Sequence, residues 1–155
     1  MKNIILVGMP GCGKTTIGKK LAAALEMDFA DTDRLIEEQT GRKIPDIICE
    51  DGEPRFRELE CIAIADAVAR ANHVIATGGG SVLAKENRDR LAQSGIVIFL
   101  ERPLDWLSTE GRPLSVDLPA LYRQRLPLYE SLCHHKITMD EDLQNNVQKI
   151  LAVVR

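Results

Sequence analysis

No stretch of this sequence is apolar for anything near the length of a membrane span, and charge of neither sign dominates it. Lys and Arg number 20 against 23 Asp and Glu, a net charge of −3 with both signs mixed along the chain. That balance argues against a nucleic acid or an anionic membrane as the main partner. The four cysteines, Cys12, Cys49, Cys61 and Cys133, show no C-x-x-C spacing and no histidine in metal-finger register. They read as free thiols of a reducing compartment. The first apolar run starts by residue 3, so no leader peptide is expected and the protein is expected in the cytoplasm. Low-complexity linkers and internal repeats are missing too. The 155 residues, 45% hydrophobic and 28% charged, therefore read as one globular domain, 1–155, with a substantial core.

What is there begins with Gly8-Met9-Pro10-Gly11-Cys12-Gly13-Lys14-Thr15, a full match to G-x-x-x-x-G-K-[ST]. Asn3-Ile4-Ile5-Leu6-Val7 before it has strand length. Ile17, Leu21, Ala24 and Leu25 after it recur at helical spacing. Glycines let the backbone curl with its N–H groups inward, and the helix N-terminus adds partial positive charge, so the loop makes a nest for polyphosphate. Gly11, Cys12, Gly13, Lys14, Thr15 and Thr16 are the nucleotide-binding candidates. Lys14 is placed to reach the β- and γ-phosphates, and the Thr15 hydroxyl to ligate Mg²⁺.

Short apolar strands alternate with amphipathic helices along the rest of the chain. Strands are expected at 3–7, 27–31, 73–77, 96–100 and 136–139. Helices are expected at 14–25, 33–40, 45–50, 54–71, 84–93, 118–133 and 142–153. Gly41 and Gly95 stand where helix C-caps belong, and Pro45 and Pro54 suit first turns. Such alternation predicts an α/β fold, a parallel sheet with helices on both faces, and ligands bound beyond the carboxyl ends of the strands.

The residues just past the strands are therefore the ones to weigh. Asp31-Thr32-Asp33 follows the second strand. It can be simple N-capping, or one carboxylate can hold the metal's water shell while the other takes a hydroxyl proton. Gly78-Gly79-Gly80 follows the third strand. It is either a flexible turn or a place where a ligand meets backbone N–H groups closely. Arg57 opens a long helix, where a cation is unfavourable unless an anion offsets it, although Glu60 at i+3 is an adequate partner. Arg112 lies in an irregular stretch, 108–117, and Arg125 in a helical pattern interrupted by Pro127. Taken singly, each arginine reads as a solvated surface charge.

Taken together and in order, these elements resemble the shikimate kinase family. The resemblance runs from Gly8–Thr15 through Asp31-x-Asp33, Phe56-Arg57-x-x-Glu60, the triple glycine, Glu86-Asn87-Arg88, Arg112-Pro113-Leu114 and Arg125-x-Pro127-Leu128-Tyr129. It implies the P-loop kinase fold of nucleoside monophosphate kinases, with five parallel strands in order 2-3-1-4-5. It also implies transfer of the ATP γ-phosphoryl group to the 3-hydroxyl of shikimate, towards chorismate and the aromatic amino acids. Carried over by position, Lys14, Asp33 and Arg112 would be catalytic, and Thr15 and Asp31 would hold Mg²⁺. Asp33, Arg57, Arg125 and the backbone of Gly79 and Gly80 would bind shikimate. Residues 31–60 would form the acceptor region and 107–117 a lid. The implied partners are ATP and shikimate, with the chain acting as a monomer.

Two departures from the family pattern bear on the nucleotide. Only five residues separate Trp106 from Arg112, and Ser108 stands near the place of the family's second lid arginine, which covers adenine. Met139-Asp140-Glu141-Asp142 is acidic where the family often carries an arginine. Weak cover of the base is the expectation. A gluconate-type or nucleoside monophosphate kinase and a nucleotide-binding module without turnover are the competing readings.

Overall fold

The computed structural model of the chain describes residues 2–103 and 117–155. The first apolar run forms β1 (Asn3–Val7), buried along its whole length, as befits a strand covered on both faces. It pairs in parallel with β3 (His73–Ala76) on one side and β4 (Gly95–Glu101) on the other. β2 (Asp28–Asp31) lies outside β3, and β5 (His135–Thr138) outside β4. Among the described residues the sheet thus has five parallel strands in order β2-β3-β1-β4-β5, the order expected from the resemblance.

Alternation along the strands divides the core between two faces. Ile4, Leu6, Ile98 and Leu100 pack with Ile17 and Leu21 of α1 (Lys14–Leu25) and with Ile150 and Leu151 of α7 (Leu143–Val154). Ile5, Val7, Val97 and Phe99 pack with Ile64 of α4 (Glu53–Val68), Leu91 of α5 (Lys85–Ser94) and Tyr129 of α6 (Leu118–Leu132). A smaller cluster joins Ile36 of α2 (Thr32–Thr40), Ile47 of α3 (Ile44–Asp51), and Phe56, Leu59 and Ala63 of α4. Each of the Ile, Leu and Phe side chains contributes about 1.5–3 kcal/mol on burial. This cluster fixes α2, which carries Asp33, against the start of α4, which carries Arg57.

The boundaries shift little from the expected ones. α4 stops at Val68 rather than residue 71, and the chain re-enters the sheet through Asn72, whose φ of 61° is one that asparagine tolerates. Gly41 caps α2 with φ 68°. Gly95 caps α5 and also opens β4, where a Cβ would overlap the backbone of Asn3. A 3₁₀ turn over Ser81–Leu83 was not expected. Among the described residues no helix is long and apolar enough to cross a membrane. Arg112, Trp106, Ser108 and nearly all of the expected lid lie outside the described residues.

Candidate active site

Three of the loops that gather at the carboxyl end of the sheet build the site. The first runs from β1 into α1. Gly11 and Gly13 hold φ of 79° and 97°, which curls the chain so that α1 starts with no side chain capping its first N–H groups. Those donors and the helix dipole are left for an anion. Lys14 is 8% exposed, and its Nζ donates to the carbonyls of Gly8 at 2.7 Å and Met9 at 3.0 Å. The ammonium is thereby held over the loop.

The second loop is the junction of β2 with α2, where capping and facing the phosphate loop turn out to be compatible. Asp31 Oδ1 accepts from the N–H groups of Asp33 (3.0 Å) and Arg34 (3.4 Å). Its Oδ2 accepts from the Thr15 hydroxyl at 2.7 Å. One carboxylate caps α2 and turns its other oxygen to the P-loop. A hydroxyl and a carboxylate oxygen side by side are the hard donors Mg²⁺ takes alongside water and substrate phosphates, so Thr15 and Asp31 fit that ion.

The third loop follows β3. Thr77 anchors it by donating to the Leu6 carbonyl at 2.8 Å, and the Gly78 N–H donates to the Thr32 hydroxyl at 3.2 Å. The triple glycine is required by close packing on three sides. A Cβ on Gly78 would stand 2.7 Å from Asp33 Oδ1 and 3.1 Å from Glu60 Oε2. One on Gly79 would stand 2.7 Å from the Pro10 ring, and one on Gly80 would collide with the Arg57 guanidinium.

Between these loops lies a cavity of about 230 Å³. Gly11, Gly13, Lys14, Thr15 and Thr16 of the P-loop line it together with Asp31, Asp33, Thr77, Gly78 and Gly79. Cys12 is not part of that lining. Its side chain is buried, its Sγ lies 3.6 Å from Lys14 Nζ, and its N–H donates to the Met9 carbonyl at 3.3 Å.

Behind Gly78–Gly80 sits a buried charge cluster. Glu60 is 1% exposed and takes the Arg57 Nη1 at 2.8 Å. Arg57 also lies 3.6 Å from Glu53. Burial pushes the Glu60 carboxyl above its usual range, opposed by the charges of Arg57 and Arg125 and by the Ser81 hydroxyl. Arg125 is 4% exposed, far from the solvated surface charge it resembles singly. Among the described residues, the Nε atoms of both Arg57 and Arg125 are buried without a hydrogen-bond partner. Buried guanidinium donors of this kind are costly unless an anion meets them.

Two contributors escaped sequence reasoning as site residues. Glu60 was visible only as the i+3 partner of Arg57, although its place on the apolar stripe Phe56, Leu59, Ala63, Ile64 marks it as buried. Tyr129 was visible only inside a motif. Its hydroxyl donates to the Gly79 carbonyl at 2.6 Å, and its ring stacks on Phe99 with centroids 5.0 Å apart. Burial raises its pKa, which keeps it a neutral donor. Arg102 follows β4 directly, and its Nη1 lies 3.9 Å from where a Gly13 Cβ would stand. The acidic run after β5 is used within the fold. Asp142 caps α7, and Asp140 accepts from the Asp142 N–H and pairs with Lys149 at 3.2 Å.

The family model for shikimate kinase matches residues 10–155. A shikimate kinase of Symbiobacterium thermophilum is 40% identical over 163 aligned positions, covering 96% of this chain and 94% of that one. One from Burkholderia thailandensis is 43% identical over 146 positions, covering 87% and 79%. Among solved structures, the Acinetobacter baumannii shikimate kinase in complex with shikimate superposes with a TM-score of 0.95 at 37% identity, covering 99% of this chain and 93% of that one.

Proposed function

The chain belongs to the shikimate kinase family, ATP-dependent phosphotransferases that act on a hydroxyl group, and from that premise we propose how its own residues carry the reaction. The γ-phosphoryl group of ATP passes to the 3-hydroxyl of shikimate, giving shikimate 3-phosphate and ADP. The observation that carries this reading is that Asp33 lines one cavity with Lys14 and Thr15, its Oδ1 so close to Gly78 that a Cβ there would stand 2.7 Å away.

The amides of the curled loop and of the first turn of α1 bind the phosphates, and Lys14 moves from the loop carbonyls to the β- and γ-oxygens. Thr15 and Asp31 are the residues that would hold Mg²⁺, whose charge would offset that of the phosphate oxygens. Arg57 and Arg125 hold the shikimate carboxylate, two guanidinium groups for one anion, with the Gly79 and Gly80 backbone beside them. That anchor sets the 3-hydroxyl against Asp33, which orients it and accepts its proton. The hydroxyl oxygen then bonds to the γ-phosphorus as the bond to the bridging oxygen of ADP breaks. Phosphoryl transfer needs mainly positioning and charge stabilisation, and this constellation supplies both. By its place in the family pattern, Arg112 adds positive charge at the transferring group. The whole chain, 1–155, acts as one kinase unit, a cytoplasmic monomer.

ADP release from Mg–ATP, assayed with shikimate, gluconate and nucleoside monophosphates in turn, tests the reading. Release that depends on shikimate alone is expected. Preference for another acceptor, or release no faster with shikimate than without, would overturn it.

A further inference from the structure

Glu86-Asn87-Arg88 is a stretch to which the reaction above gives no task. Resting on the kinase reading, we infer that Asn87 is a positioning residue for shikimate. Its amide holds the turn that aims the Gly79 and Gly80 N–H groups, the backbone which that reading places beside the shikimate carboxylate. The carbonyl of one residue and the N–H of the next lie in one trans peptide plane and point opposite ways, so a bond that fixes the carbonyl also aims the N–H. The Gly78 carbonyl accepts from the Ser81 N–H at 3.1 Å, which sets the Gly79 N–H. The Gly79 carbonyl accepts from the Tyr129 hydroxyl at 2.6 Å, which sets the Gly80 N–H. The Gly80 carbonyl accepts from the Leu83 N–H at 3.1 Å. Glycines supply no side chain to hold such a shape and have much backbone freedom to lose it. The shape therefore depends on what holds Ser81–Leu83.

That hold comes from the first turn of α5. Asn87 is 1% exposed, and its Nδ2 donates to the Ser81 carbonyl at 3.0 Å. Arg88 Nη1 donates to the carbonyls of Val82 at 2.7 Å and Leu83 at 3.2 Å, the far end of the same turn. Asn87 thus grips the residue nearest the glycines. Ser81 is fully buried, and its hydroxyl donates to Glu60 Oε2 at 3.4 Å while Glu60 Oε1 takes Arg57. Through Ser81 the Asn87 amide reaches both the Gly79 peptide and the carboxylate that pairs with Arg57. The Asn87 Oδ1 is buried without a hydrogen-bond partner among the described residues, an arrangement that costs stability. What the side chain contributes is its donor to Ser81. Glu86 of the same stretch is turned elsewhere: it is exposed, takes the Cys61 thiol and lies 3.7 Å from Arg90.

Calorimetric titration with shikimate and with Mg–ADP, paired with steady-state rates, tests this in the parent, Asn87→Leu, Asn87→Ala and Glu86→Gln. Asn87→Leu keeps nearly the same shape and removes the donor together with the unpaired acceptor. Both Asn87 variants should bind shikimate about five- to thirtyfold more weakly, as for loss of one buried hydrogen bond. Mg–ADP affinity should stay at the parental value. The KM for shikimate should rise by the same factor, while turnover at saturating shikimate stays within about threefold of the parent. Glu86→Gln should bind both ligands as the parent does. Unchanged shikimate affinity in the Asn87 variants would overturn the inference. Equal losses for shikimate and Mg–ADP would do so too, by leaving Asn87 a residue of the fold alone. An equal loss in Glu86→Gln would also overturn it, by tying the effect to α5 as a whole. A parent that does not bind shikimate would instead bring down the kinase reading itself. Should Asn87→Leu not fold, Asn87→Ala carries the same comparison.

Discussion

The Tyr129 hydroxyl donates to the Gly79 carbonyl at 2.6 Å across 50 residues of sequence. That one bond links α6, which carries Arg125 one turn earlier, to the glycine turn whose neighbour Gly80 touches Arg57. The sulfur of Met9 in the P-loop also lies 3.9 Å from the same hydroxyl. Tyr129→Phe keeps the stacking on Phe99 and removes only the donor. It should cost about 1–3 kcal/mol, the usual penalty for a buried acceptor left unpaired. The KM for shikimate should rise more than that for ATP. Thermal melts and paired KM values check this, and equal changes in both KM values would mean that the tyrosine serves only the fold.

Asp31 divides its two oxygens between the α2 N-terminus and Thr15, so its two roles can be separated. Asparagine caps a helix about as well as aspartate. Asp31→Asn should therefore melt close to the parent while needing about 10–100-fold more Mg²⁺ for half-maximal rate, the usual cost of disturbing a metal's outer ligands. Melting curves and a Mg²⁺ titration at fixed ATP measure the two effects. A large loss of stability with an unchanged Mg²⁺ requirement would leave Asp31 a cap alone.

Glu60 contributes a pH dependence whose sign follows from its burial. Its carboxyl is held above the usual value, so over the interval between the two values the folded chain keeps a proton that the unfolded chain has released. The stabilisation is complete below the usual carboxylate range and is lost as pH rises through the raised value. Glu60→Gln keeps an acceptor for Arg57 and lacks the titration. Between about pH 4 and pH 7, the melting temperature of the parent relative to this variant should fall as pH rises. A relative rise would contradict the assignment.

Arg57→Ala and Arg125→Ala should each weaken shikimate binding by about 2–4 kcal/mol, through loss of a charge-assisted contact and an underpaired carboxylate. ATP affinity should hardly move. Titration calorimetry with each ligand checks both halves, and normal shikimate binding by either variant would remove that arginine from the carboxylate site.

The parts of this molecule legible in its sequence are those set by local rules. Ile4 to Val7 had to be a strand, Gly41 a helix cap, and Gly11 to Thr15 a curled loop opening a helix, because a few adjacent residues decide each. The α/β class followed from alternation, while the strand order came from the resemblance. Contacts between distant segments were not legible. Nothing near Arg125 says that its helix is buried against the glycine turn, and an isolated reading makes it a surface charge. Cys12 belongs to the motif by position, yet the curl of the loop turns its N–H to Met9. Glu60 shows the same limit, since its spacing predicts an ion pair and only packing makes that pair a buried one.

The central claim is that Asp33, which lines one cavity with Lys14 and Thr15, receives the proton of the attacking hydroxyl. Asp33→Asn keeps the shape and the hydrogen bonding and removes the charge. Its turnover number should be measured by coupled ADP release at saturating Mg–ATP and shikimate, with shikimate affinity determined on the same preparation. The account predicts a fall of about 10²-fold or more in turnover, with shikimate still bound. Near-normal turnover would contradict it and reduce Asp33 to a residue that only lines the cavity.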